Sequence, residues 1–227
     1  MKKLSVHHKS IFLFILVLYI LSRLVLFVKY ILPSGLYPPL PIDDGWYDYR
    51  YGFLWANGLL NIFPSAYIHP SREIYGWIIG HLLYFFDRIP HIPILFQIVM
   101  GGFALFSLKR LCILIFNSFT AYLAVIIWAF YGLAILYDVQ ILKYSLTISC
   151  MIITLDYYYQ ARFLGGSLNY ILFSFFACLL LMLRLEYLPA IVWFIGSFFY
   201  KTNKFRPVMM LSILVFLGLI LAFFLPS

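Results

Sequence analysis

The sequence predicts an all-α protein, a polytopic transmembrane helical bundle of about seven spans whose long first outer loop holds two interfacial helices. Three observations predict it. The 227 residues are 65% hydrophobic and 11% charged, whereas a soluble domain averages about 25% charged. Apolar runs recur at about 11–32, 93–108, 111–137, 139–158, 167–183, 187–200 and 207–225, and about 20 such residues cross a hydrocarbon layer of roughly 30 Å. Cations and acids also alternate between successive connections, as they do across a bilayer. The whole chain, 1–227, reads as a single module, with 33–92 as its outer loop.

The N-terminal "MKKLSVHHKS" precedes the run 11–32, which is too long for a cleaved leader and lacks a small-residue cleavage site. It reads as a retained signal anchor. The prolines of "LPSGLYPPLP" forbid continued helix. Next, "DDGWYDYRYGFLWANGLL" opens on a good N-cap residue and sets Trp46, Tyr49, Phe53 and Leu54 on one face at helical spacing. The segment Ser71 to Arg88 starts with another cap residue and is apolar for about 12 positions, too short to cross comfortably, so a second surface-lying helix is expected there. A true span at that place would invert every later loop and put Lys109 and Arg110 outside, against the charge distribution. The short runs 93–108 and 187–200 are expected to borrow flanking residues.

With the N-terminus in the cytoplasm, Lys2, Lys3, Lys9, Lys109, Arg110, Arg162, Lys201, Lys204 and Arg206 all fall inside, nine of the sixteen cations. Seven of the eight acids, Asp43, Asp44, Asp48, Glu73, Asp87, Asp138 and Glu186, fall outside, and Asp156 alone faces inward. The net charge of +8 is spread over short loops, which speaks for topology and against nucleic acid as a partner. Cys112, Cys150 and Cys178 lie in apolar runs without pairing or metal spacing and read as small hydrophobes. The histidines lack metal spacing, and no Gly-rich phosphate loop or internal repeat is present.

The residues suited to chemistry gather in the outer segments. Asp43 and Asp44 open a helix at the outer surface, where exposed amides favour negative charge; a cap and a solvated neighbour is the plain alternative. Arg23 stands within the first span, where an arginine costs about 2.5 kcal/mol or more unless it snorkels or finds a partner. Arg72 and Lys143 lie on the same side, and Arg184 with Glu186 occupies a tight outer turn as a candidate ion pair. Converging carboxylates and cations suit transfer of a sugar from a lipid phosphate. A carboxylate takes the proton of an acceptor hydroxyl, and Arg or Lys stabilises the phosphate leaving group.

Five segments in order resemble the GT-C class of integral membrane glycosyltransferases, which use polyprenyl-phosphate sugars, as in mannosyltransferase- and aminoarabinose-transferase-like modules. They are Arg23 in the first span; "DDGWYDYRYGFLWANG" with its downstream Tyr47; "HPSREIYGWIIGHLLYF"; "YDVQILKYS"; and the Arg-x-Glu turn "RLEYLP". The resemblance implies a seven-helix catalytic module with Asp43 or Asp44 as general base and an inverting transfer on the non-cytoplasmic face. It places Arg23, Tyr47, Arg72, Asp138, Lys143, Arg184 and Glu186 around the substrate. It also implies a polyprenyl-phosphate-linked sugar as donor, a glycan or protein hydroxyl as acceptor, membrane lipid as surroundings and no obligatory cofactor, with a divalent metal compatible. Members of that class usually carry further helices and often a soluble C-terminal domain, which leaves room for a partner subunit. The alternative expectation is a non-catalytic membrane protein that binds a lipid-linked glycan or serves as subunit of a larger glycosylation complex. A small-solute transporter is disfavoured, because the charges cluster at one face rather than near the midplane.

Overall fold

The structure, a computed structural model, describes residues 6–31, 44–58, 70–139, 141 and 143–201, and these are helical with short connections. In chain order the helices are α1 (Val6–Leu26, continued by a π-helical turn Phe27–Ile31), α2 (Asp44–Ala56), α3 (Pro70–Phe85), α4 (Ile92–Ile115) and α5 (Ser118–Phe130). They are followed by α6 (Gly132–Asp138), α7 (Lys143–Phe163), α8 (Ser167–Leu183), a 3-10 turn (Leu185–Tyr187) and α9 (Leu188–Lys201). The all-α class is therefore as the sequence predicts. Two helices, over Lys9–Lys29 and Ile92–Ile115, are long and apolar enough to cross a membrane. The run predicted at 207–225 lies outside the described residues.

The central helix is α7, which packs on both α4 and α8. Buried on several sides, it carries Ser145, Thr147, Ser149, Thr154 and Asp156 into the interior. The interior tolerates the two threonines because they are bonded within their own helix. Thr147 donates to the Lys143 carbonyl at 2.8 Å and Thr154 to the Cys150 carbonyl at 2.7 Å. The three cysteines are buried and form no disulfide among the described residues, as their apolar neighbourhoods predict.

Two predicted boundaries move. Lys109 and Arg110, expected in an inner loop, are helical residues of α4, which runs on to Ile115. They stay in the helix because both charges find partners there. The Lys109 ammonium lies 4.1 Å from the Phe12 ring centre and 5.1 Å from that of Tyr122, and Arg110 Nε donates to Asp156 at 2.8 Å. The break comes instead at Phe116–Asn117, where Asn117 caps α5 by accepting from the Thr120 amide at 2.9 Å. The predicted run 111–137 is likewise divided, because Tyr131 adopts an extended conformation between α5 and α6. Asp138, expected in an outer loop, ends α6 and is buried.

Helices α2 and α3 form at the places predicted for the two surface helices, but α2 buries a different face. Phe53 is largely exposed and Tyr49 half-buried, while Asp48, Gly52 and Ala56, spaced by one turn each, are buried. The reason is a backbone-to-backbone contact with Gly76 and Gly80 of α3, a small-x-x-x-small spacing that admits close approach. A Cβ added at Gly52 would stand 2.7 Å from the Gly76 carbonyl oxygen and 2.9 Å from the Gly80 nitrogen. Neither backbone atom can rotate away. Gly52→Ala is expected to destabilise the α2–α3 pair by about 1–3 kcal/mol, seen as faster proteolysis between the two helices in detergent. A Gly58→Ala control meets no atom within 4 Å, although it sits at φ +69° and carries its own backbone cost.

Candidate functional site

The end of the bundle holding Asp138 and Ser145, called the outer end after the topology expected from the sequence, carries a buried polar centre built from four helices. Each contribution has a local cause. On α1, Tyr19 and Arg23 are one turn apart, so the Arg23 guanidinium carbon lies 3.8 Å from the Tyr19 ring centre. Because α5 stops at Phe130, its last carbonyls lack helical partners, and Arg23 Nη1 donates to the Ala129 carbonyl at 2.5 Å. Helix α6 then brings Asp138 to Arg23, with Nε donating to Oδ2 at 3.1 Å. The Tyr19 hydroxyl donates to the same oxygen at 2.9 Å. Ser145, in the first turn of α7, donates to Oδ1 at 2.6 Å.

The arginine is 0% exposed and the aspartate 5% exposed, so the pair is almost wholly buried. A buried carboxylate with three donors and a buried guanidinium with a carboxylate and a carbonyl largely offset each other's desolvation. Arg23 Nη2 is left buried without an acceptor among the described residues. Gly101 of α4 makes room for the centre: a Cβ there would collide with the Tyr19 hydroxyl and lie 3.5 Å from Asp138 Oδ2.

A second chain of contacts ties the α2–α3 pair to this centre. Tyr75 of α3 is buried and its hydroxyl donates to Gln97 Oε1 on α4 at 3.0 Å. Gln97 Nε2 reaches the Tyr137 carbonyl at 3.5 Å, next to Asp138. Burial, and secondarily the Asp48 carboxylate, pushes the Tyr75 phenol well above its ordinary range. Tyr75 therefore remains a hydrogen-bond donor at any physiological pH.

Of the predicted substrate residues, the structure unites Arg23 and Asp138. Arg184 meets Glu186 at 3.4 Å, the ion pair expected for that turn, and its guanidinium carbon lies 4.6 Å from the Tyr144 ring centre. Lys143 opens α7 at the same end. Asp43 lies outside the described residues; Asp44 and Tyr47 belong to α2 and Arg72 to α3, but their side chains are likewise outside what is described. Among the described residues, no three His, Cys, Asp or Glu side chains come together as a metal site.

Reading by sequence missed Tyr19, Ser145, Asp48, Tyr75, Gln97 and Gly101. A one-turn Tyr-Arg spacing in an apolar run was a signal for Tyr19. Asp48 was visible only as a third acid in its segment. Ser145 and Gly101 carry no local mark, since each matters through a contact with a distant helix. No protein family model, curated protein or solved structure matches the chain.

Proposed function

We propose that the chain is a multi-pass membrane protein of about seven spans that transfers a sugar from a polyprenyl phosphate to an acceptor hydroxyl at its non-cytoplasmic face. One observation carries the reading: the polar centre at the outer end is linked through Tyr75 and Gln97 to the helix pair that begins with Asp44. The helix pair that opens with Asp44 is thus tied to the end of the bundle where Arg184 and Lys143 also lie. Supporting it is the sorting of charge along the helices. Gln97 and Arg110 stand at opposite ends of α4, separated by about 20 Å at 1.5 Å per residue, and Asp156 joins Arg110 at the far end.

In this reading Asp43 or Asp44 takes the acceptor hydroxyl proton while the acceptor oxygen bonds to the anomeric carbon. The bond from that carbon to the phosphate oxygen breaks, and polyprenyl phosphate leaves. Arg72, Lys143 and Arg184 are the cations this reading offers to the phosphate, since Arg23 is bonded to Asp138. Arg23 is then a positioning residue. The expected result is loss of transfer by about 10²-fold or more in Asp43→Asn or Asp44→Asn membranes, with normal insertion. Full transfer in both single variants and in the double variant would sink the proposal.

A further inference from the structure

The inner end of the bundle presents the opposite picture to the outer one. Lys109, Arg110 and Arg162 stand there, and Asp156 is the acid that faces them. Arg110 takes that acid: its Nε and Nη2 both donate to Asp156 Oδ2, while Gln160 Nε2 donates to Oδ1 at 2.8 Å. Asp156 is fully buried, and both of its oxygens are engaged by these donors.

Lys109 and Arg162 have no carboxylate within ion-pair distance among the described residues. Both are held rather than trailing in solvent. Lys109, 8% exposed, sits where α1, α4 and α5 meet, over the rings of Phe12 and Tyr122. Arg162 Nη1 donates to the Tyr158 hydroxyl at 2.6 Å, and that hydroxyl is itself bonded to Ser197 of α9. Arg162 Nε is buried without an acceptor among the described residues. The segments that adjoin this end in sequence, 1–8 and 202–227, contain no aspartate or glutamate.

We infer that the inner end binds the phosphate of anionic phospholipid headgroups, with Lys109 contacting one lipid at the α1–α4–α5 seam and Arg162 another at the α7–α9 seam. Charge complementarity carries the choice of ligand: two immobilised cations have no counter-charge among the described residues, and the inner leaflet is the anionic surface such cations meet. Cations that only set topology need nothing beyond a solvated loop. Aromatic faces under Lys109 and a fixed hydroxyl behind Arg162 hold each charge in one place instead. The inference rests on the membrane reading above and is independent of sugar transfer.

The test uses the full chain purified in a neutral maltoside detergent and exposed to an equal mixture of phosphatidylglycerol and phosphatidylcholine. Retained lipid is counted by native mass spectrometry. Phosphatidylglycerol adducts are expected to predominate, and Lys109→Met and Arg162→Gln are each expected to lower that preference by about fivefold. Arg162→Lys should keep most of it, and Arg88→Gln, an exposed change after α3, should keep all of it. Should Lys109→Met fail to fold, the Arg162→Gln and Arg162→Lys pair carries the test. Equal retention of the two lipids, or wild-type preference in both neutralised variants, overturns the inference. Complete displacement of phosphatidylglycerol by inorganic phosphate overturns it too, since the seams would then be sites for a soluble anion.

Discussion

Gly101→Ala is expected to destabilise the outer end of the bundle by about 3 kcal/mol, the upper part of the usual cost of overpacking a packed interior. The added methyl would occupy the place of the Tyr19 hydroxyl and press on the ring carbon behind it at 3.1 Å. Tyr19 is fully buried and stacked under the Arg23 guanidinium, so it cannot swing away without losing its bond to Asp138. Thermal unfolding in detergent measures the effect. Placing the same change in a Tyr19→Phe background removes the colliding oxygen, and the cost of the alanine should fall by about 1 kcal/mol or more. A Gly101→Ala protein as stable as wild type would mean that Tyr19 does not occupy this position.

The second large effect concerns the ion pair itself. Arg23→Met leaves Asp138 with the Tyr19 and Ser145 donors but no counter-charge, and Asp138→Leu leaves a fully buried arginine with carbonyl and serine partners alone. Each single change is expected to cost about 3–5 kcal/mol, whereas Arg23→Met with Asp138→Leu should cost much less than their sum. Such a cycle separates the worth of the pair from the penalty of orphaning one member. Additive single costs would show that the two side chains do not neutralise each other, and Arg23 would then be available to a substrate phosphate. The prediction therefore also bears on which cations can serve the proposed transfer.

Much of the fold was legible from composition, because long apolar runs suit helices, which satisfy their backbone amides within one segment. The two surface helices could be read from cap residues and from prolines that stop helix at known places. Positions of helix ends were less legible. Lys109 and Arg110 look like loop residues in a one-dimensional scan, yet rings from α1 and α5 and a carboxylate from α7 keep them helical.

For the candidate site, residue type told which side chains needed partners, and folding chose the partners. An arginine in an apolar run must be neutralised, and that demand is written in the sequence around Arg23. Which acid answers it is not, because Asp138 lies 115 positions away and is delivered by the break at Tyr131 that turns α6 toward α1. Charge and hydropathy are properties of single residues and survive in a string of letters. Contacts of Gly101 with Tyr19, or of Gly52 with Gly76, depend on the space between helices, and that space exists once the helices have packed.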